Sequence, residues 1–361
     1  MTQRCVMIMA GGTGGHVFPA LALAAVLRSK ACDLVWLGTK RGIEARLVPE
    51  ASIVVEWIDI GGLRGKGLIA LVVAPWYLLR AVLQSIVAIR RHDPAVVVGL
   101  GGYVSGPGGI AAWLTRRPLV IHEQNAVVGF TNRVLALLAT RVLEAFKGSF
   151  VSAHNAQAIG NPVRSEFFAL ATPADRFSAR TGPLRILIVG GSQGAAKLNM
   201  LVPEALSFLA KETQLSIRHQ SGVRGLELTR EVYARYSLKA EVSDFIEDIA
   251  AAYAWADIVI CRAGALTVSE LAAVGVAAVL VPFPAAVDDH QTRNAEFLVA
   301  RGAAVLMPES ALTPVSLAAQ LTQMCKDRAA LLAMGERARS LTRPNAAEDL
   351  AAVCLSAGGL K

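Results

Sequence analysis

The sequence predicts an α/β protein made of two doubly wound, Rossmann-like parallel-sheet domains that face each other across a cleft. Three observations lead there. Short apolar, β-branched runs alternate with longer helical patterns along the whole chain, as expected for parallel strands covered by helices on both faces. The 361 residues leave room for two domains, each with its own core. One pattern also occurs twice: "VMIMAGGTGGH" at 6–16 and "ILIVGGSQGA" at 186–195 both read strand, double glycine, hydroxyl residue, glycine, helix.

The first domain, residues 1–161, takes its strands from "CVMIMA", "DLVWLG", "IVVEWI", "AVVVGL", "PLVIHE" and "RVLEAF". The second, 162–342, takes them from "LRILIVGG", "LSIRHQS", "ADIVICRAG", "AAVLVPF" and "AAVLMP". Helices are expected at Pro19–Ser29, Asn132–Ala139, Ala196–Leu209 and Leu266–Val274. Gly, Asn and Pro cluster in "AIGNPVRSEF", 158–167, and mark the boundary. The stretch "TPADRFSARTGP", 172–183, has no apolar periodicity and reads as a surface connection. A last helix within 343–361 is expected to pack back on the first domain.

Composition narrows the partners. Net charge is +8 and the pI about 9.5, which favours anionic ligands or surfaces. Aromatics are only 6% and do not interleave with arginines, so nucleic acid is not an expected partner. The five cysteines are scattered and read as small buried hydrophobes of a reducing compartment. "MTQR" leads straight into a short apolar run, a first strand rather than a signal peptide. The run "LIALVVAPWYLLRAVLQSIVAI", Leu68–Ile89, could be mistaken for a membrane span. Arg80 and Gln84 interrupt it, Pro75 lies inside it, and Arg64, Lys66, Arg90 and Arg91 flank it. A charge at the centre of a span costs roughly 2.5–3.5 kcal/mol. A buried crossover helix, or a helix on an anionic membrane surface, fits better, with Trp113, Arg116 and Arg117 as further candidates for such a surface.

The glycine loops exclude two familiar classes. In G-x-G-x-x-G a third glycine is needed for helix packing, but Val17 stands there, and "WLGTK" carries no acid for a ribose. No GK[ST] occurs, so there is no P-loop. What the loops keep is the chemistry of a tight turn opening a helix: backbone N–H groups and a positive dipole end, suited to phosphate or pyrophosphate. Each loop alone also reads as a plain strand–helix turn. Five such places occur: "GGTGGH", "GLGGYVSGPGG", "GNPVR", "GGSQGA" and "CRAGALTVSE".

The blocks "AGGTGGHVFPALALA", "GLGGYVSGPGGIAAW", "IHEQNAVVGFTNR", "IGNPVR", "VGGSQGA", "CRAGALTVSELAAVG" and "DDHQTRNAEFL" run in this order from about residue 10 to 297. They resemble the signature blocks of the bacterial UDP-N-acetylglucosamine transferases of the glycosyltransferase-B fold that make lipid II for peptidoglycan. The resemblance implies that N-acetylglucosamine passes from UDP-N-acetylglucosamine (UDP-GlcNAc) to the C4 hydroxyl of lipid I, undecaprenyl-pyrophosphoryl-N-acetylmuramyl-pentapeptide. The anomeric centre inverts, and neither metal nor cofactor is implied. The place of work is the cytoplasmic face of the inner membrane, held peripherally.

The resemblance also implies roles for single residues. Glu270 would accept both ribose hydroxyls, since a carboxylate offers two acceptors to a vicinal diol. Ala265, Leu266, Thr267, Val268 and Ser269 would start a helix whose N–H groups face the diphosphate. Ser192 and Arg164 would hold phosphate oxygens, the latter through its planar, always charged fork. The backbone of Ile246 would read uracil. Gln291, with Asn294 behind it in preference, would read sugar hydroxyls, and Asn125 would touch the donor sugar. Thr13, Gly14 and Gly15 would approach donor and acceptor pyrophosphate. Gly11, Gly12, Tyr103 and Ser105 would serve the acceptor. His16 is the candidate general base, because histidine titrates near neutrality and can take the proton of an attacking hydroxyl; a helix-capping role is its alternative. Glu123 is the second candidate base, or the group that orients His16. His122, next to it on a strand, should point the other way. Two other functions use the same cradle: another UDP-sugar enzyme, such as a UDP-GlcNAc 2-epimerase or a diacylglycerol glycosyltransferase, and a non-catalytic subunit binding UDP-sugar or polyprenyl phosphate.

Overall fold

The computed structural model describes residues 4–61, 68–151, 155–178, 180–191, 194–284 and 289–360, without the side chains of 68–72. Ser192, Arg64 and Lys66 lie outside the described residues. The chain forms two compact units, Met1–Arg164 with Arg343–Lys361, and Ser165–Thr342.

In the first unit β1 (Cys5–Met9) is an unbroken apolar run, buried along its length. The first glycine loop carries it into α1 (Gly14–Ser29). There follow β2 (Asp33–Gly38), α2 (Glu44–Glu50), β3 (Val54–Trp57), α3 (Leu68–His92), β4 (Val96–Gly99) and α4 (Ser105–Leu114). β5 (Leu119–Glu123), α5 (Phe130–Leu135), β6 (Arg141–Glu144) and β7 (Gln157–Ala158) complete the sheet. Its seven strands lie in the order β3-β2-β1-β4-β5-β6-β7 and every pair is parallel. Alternation along β1 divides the core. Val6 and Ile8 face α1, whereas Cys5, Met7 and Met9 face the α3–α5 side. α5 starts two residues before the expected Asn132 and stops at Leu135, after which 136–138 continue as turns. β7, two residues at the sheet edge, follows no apolar run and leaves no sequence signal.

In the second unit α6 (Pro173–Ser178) comes first. The stretch 172–183, read as a surface connection, is mostly exposed but holds this short helix and its anchors. Pro173 is buried, Arg176 donates to Val274 O at 3.0 Å and Gly275 O at 2.7 Å, and Arg180 pairs with buried Asp257. The segment is anchored by arginines on backbone carbonyls and a buried carboxylate, which an apolar-periodicity criterion does not register. β8 (Leu184–Val189), α7 (Ala196–Leu209), β9 (Leu215–Gln220), α8 (Leu226–Arg235), β10 (Glu241–Ser243), α9 (Ile249–Trp255) and β11 (Ile258–Cys261) come next. α10 (Ala265–Val274), β12 (Ala277–Leu280), α11 (His290–Val299), β13 (Val305–Leu306), α12 (Pro314–Cys325) and α13 (Arg328–Ser340) follow. The six strands lie in the order β10-β9-β8-β11-β12-β13, again all parallel. The chain then returns to the first unit through α14 (Ala346–Ala357), whose Leu350, Ala351 and Cys354 share a core with Val6, Leu23 and Val96.

Both sheets reverse their strand order once, between β1 and β4 in the first and between β8 and β11 in the second. Loops leaving the carboxyl ends on either side of such a point diverge, and the crevice they leave is where doubly wound sheets take ligands.

Candidate functional site

In the first unit the two loops at the switch point are "GGTGGH" after β1 and "GLGGY" after β4. They are pressed together. A Cβ on Gly102 would collide with Gly11 O, and one on Gly101 would lie 2.8 Å from His16 Nε2. Gly101 has φ +98 and Gly102 φ +82, a backbone region that favours glycine. The imidazole of His16 is therefore seated on the "GLGGY" loop, half-buried in the first turn of α1. Thr13 N-caps that helix with extended backbone (φ −113, ψ 162) and its hydroxyl makes no capping bond. The cap side chain thus leaves the N–H groups of Gly14 and Gly15 to other partners, with the positive end of the helix behind them.

Gly12 differs from its neighbours. Its N–H donates to Glu44 Oε2 at 2.9 Å. Glu44 is fully buried, and its Oε1 accepts from Thr39 N at 3.1 Å and Thr39 Oγ1 at 2.8 Å. The Gly12 N–H is spent inside the protein, and a carboxylate fixes the loop from beneath. Sequence reasoning missed Glu44, because an acid opening a short helix looks like any solvated one. Ser105 is likewise buried. Its hydroxyl donates toward Gly101 O and Met9 O and accepts from Gly101 N, so it ties the β4 loop to the end of β1 rather than facing a ligand. Tyr103, on the same loop, is 58% exposed and free to meet one.

The end of β5 forms a second cluster. Glu123 is buried with both oxygens doubly occupied. Oε1 accepts from Asn125 N and Nδ2, and Oε2 from Gly129 N and Asn132 Nδ2, all within 3.2 Å. That organises the turn carrying Asn125 and occupies the Glu123 carboxylate within the protein. His122 is wholly buried and donates from Nε2 to Gly160 O at 2.9 Å. Burial pushes it down to about 4, so it is neutral. Asn161 Nδ2 donates to Gln124 O at 3.1 Å. The "HEQN" and "GNPVR" blocks are thus bonded to each other, and Arg164 lies over the Phe18 ring of α1, 5.4 Å from its centroid.

In the second unit "GGSQG" follows β8 and "CRAGA" follows β11, the two loops at that switch point. α10 is capped by Gly264, which has no side chain to fill the cap, and Ala265, Leu266 and Thr267 form its first turn, the first two of them buried. Val268 is buried in the core and can offer a ligand only backbone, and Ser269 Oγ donates back to Ala265 O at 2.9 Å. Glu270, one turn further along, is 8% exposed. Gln291 Oε1 accepts from Ala263 N at 3.3 Å and Phe283 N at 2.9 Å, and buried Asn294 donates to Ala263 O at 3.2 Å. Together they grip both backbone groups of Ala263 in the "CRAGA" turn. The Gln291 carbonyl oxygen is thus occupied by backbone. Ile246 is half-buried in the turn between β10 and α9. Among the described residues no group of three or more His, Cys, Asp or Glu side chains is placed to hold a metal ion.

Two doubly wound sheets with glycine-rich helix starts at both switch points describe a nucleotide-sugar enzyme, and the comparisons agree. The chain belongs to glycosyltransferase family 28, with the N-terminal domain of that family matched over residues 6–144 and the C-terminal domain over 185–350. A relative from Nitrosococcus oceani is 53% identical over 97% of this chain and 98% of its own length. It is a UDP-N-acetylglucosamine–N-acetylmuramyl-(pentapeptide) pyrophosphoryl-undecaprenol N-acetylglucosamine transferase, and so is a relative from Alkalilimnicola ehrlichii at 53% over 97% of this chain and 98% of its own. The crystal structure of Acinetobacter baumannii MurG superposes with TM-score 0.84 at 44% identity, covering 98% of this chain and 99% of that one. The UDP-GlcNAc 2-epimerase of Neisseria meningitidis shares the fold alone, at TM-score 0.68 and 12% identity over 98% of this chain and 99% of that one.

Proposed function

We propose that this protein transfers N-acetylglucosamine from UDP-GlcNAc to the C4 hydroxyl of the muramyl sugar of lipid I, giving lipid II with inversion at the anomeric carbon. The observation that carries the reading is the 53% identity, over nearly the whole of both chains, to relatives whose names state that donor sugar and that acceptor. The epimerase likeness, at 12%, carries no such argument.

The donor belongs to the second unit. Glu270 takes the ribose diol, the start of α10 faces the diphosphate, the turn at Ile246 reads uracil, and the Gln291 amide meets the sugar. Arg164 and Ser192 add donors to phosphate oxygens. The acceptor's sugar and pyrophosphate belong to the loops around Gly14, Gly15 and Tyr103. His16 removes the C4 hydroxyl proton as that oxygen bonds to C1 of N-acetylglucosamine. The C1–O bond to the β-phosphate breaks on the opposite side, and its electron pair leaves with UDP. A helix N-terminus and an arginine are suited to the charge that develops on the leaving diphosphate. Asn125 is directed at the donor sugar by the Glu123 cluster.

The enzyme works on the cytoplasmic face of the inner membrane as a peripheral protein. No described helix is long and apolar enough to cross a membrane. Support for surface binding comes from the α3–α5 side, where Trp76, Leu83, Trp113, Phe130 and Leu137 are exposed. An open apolar patch of this kind marks an interaction site.

Purified chain given UDP-GlcNAc and lipid I should produce lipid II and UDP in equal amounts. Conversion of UDP-GlcNAc without acceptor, or absence of any disaccharide lipid, would overturn the reading.

A further inference from the structure

Gln220, the last residue of β9, is 4% exposed, and its side-chain amide is spent on backbone. Oε1 accepts from Gly191 N at 2.9 Å, and Nε2 donates to Gly191 O at 3.1 Å and to Asp244 O at 2.9 Å. One amide therefore holds both backbone groups of a single glycine and ties that glycine to the turn after β10. Gly191 has φ +81 and belongs to the "GGSQG" loop, and Asp244 opens the turn that carries Ile246. The contact continues around the corner. Gly190 N donates to Gln220 O at 2.9 Å, and a Cβ on Gly194 would collide with Ser221 O. A buried chain backs it. Tyr233 OH donates to His219 Nδ1 at 3.0 Å, His219 Nε2 donates to Asn199 Oδ1 at 3.1 Å, and Asn199 Nδ2 donates to Ser221 O at 3.0 Å.

From this geometry we infer that Gln220 is a positioning residue for the nucleotide donor, holding the diphosphate loop and the uracil-reading turn in register so that both ends of UDP are gripped together. The inference rests on the reading that the second unit holds UDP. The position asks for a side chain that donates and accepts at the same reach, which a glutamine amide supplies. Without the reciprocal pair the peptide around Gly191 is free to turn, since glycine populates both signs of φ. UDP must then order the loop as it binds.

The test uses the full chain and three proteins: wild type, Q220A and Q220E. Calorimetry with UDP and with uridine, steady-state kinetics and thermal unfolding are measured on each. In Q220A the affinity for UDP should fall about tenfold or more. Donor KM should rise in proportion, while kcat and acceptor KM stay near wild type, the pattern of lost uniform donor binding. Uridine, which lacks the diphosphate, should lose less affinity than UDP. Q220E keeps the volume and the bond from Gly191 N, but sets an ionised oxygen against the carbonyls of Gly191 and Asp244. Its donor KM should improve as the pH is lowered and the introduced carboxyl gains a proton, a dependence absent from wild type. Folded variants with wild-type UDP affinity and donor KM would overturn the inference, as would a loss of kcat with no change in either KM. Wild-type protein that fails to bind UDP at all would overturn the donor-site reading itself, an outcome separate from failure of the Gln220 inference alone.

Discussion

Glu44 shows how much a single buried side chain can decide. Its carboxylate accepts three hydrogen bonds, one from the glycine loop and two from Thr39 at the end of β2. Glu44→Ala leaves those donors buried without an acceptor, at a cost of about 1–3 kcal/mol. Thermal unfolding should register that loss, and acceptor kcat/KM should fall with the loop's disorder while UDP affinity, which the proposed function gives to the second unit, holds. A variant with unchanged acceptor kinetics would show that the loop does not need its carboxylate. Neither Glu44 nor Gln220 was legible in the sequence. Each fixes its loop through a residue distant along the chain, Gly12 for Glu44 and Gly191 and Asp244 for Gln220. Nothing local distinguishes either from a solvated polar residue at the edge of an element. His16, Glu270 and Gln291 sit inside the blocks that form the loops, so the sequence offers them as candidates.

At the scale of elements, α3 was read correctly as a helix and only half understood. Arg80, Gln84 and Arg91 recur at helical spacing and give it one narrow polar face. In the structure Arg80 and Gln84 bond Asp59, and Arg91 bonds Glu56 on β3, so the polar stripe is docked on acids at the sheet edge. The apolar side is the open one, with Trp76 69% exposed and Leu83 54%, on a helix that packs against α4, which carries the exposed Trp113. A helix that is apolar on most sides does not reveal from its sequence which side the core takes. Joint replacement of Trp76 and Leu83 by glutamine should release the protein from anionic vesicles with little loss of stability, since neither side chain is in the core. Wild type should pellet with such vesicles and release as salt rises, because each basic residue near an anionic surface contributes about 1 kcal/mol. Binding by the double variant equal to wild type would place the membrane surface elsewhere. The short β7 and β10 escaped notice for the opposite reason, being too brief and too polar to leave a pattern.

At the scale of the whole molecule, among the described residues each unit holds one buried neutral histidine, His122 in the first and His219 in the second. Burial lowers His122 from 6.5 to about 4 and His219 from 6.5 to about 3. The folded protein keeps both neutral, whereas the unfolded chain protonates them below about 6.5. Their contribution to stability is therefore full above that pH. It is lost as the pH falls toward 4 and 3, at about 1.4 kcal/mol per pH unit for each. Urea unfolding at pH 7 and pH 5 should show both units weakened at the lower value; equal stability at the two would contradict the buried, neutral assignment. Under the proposed function the two units divide the labour, one holding the donor nucleotide and the other supplying the base. His16→Ala separates the two. It should lower kcat by roughly 10²–10⁴, leave the calorimetric affinity for UDP-GlcNAc unchanged, and abolish the acidic limb of the kcat/KM profile. A variant with near-normal kcat, or one that keeps the acidic limb, would contradict the account and reduce "GGTGGH" to a binding loop.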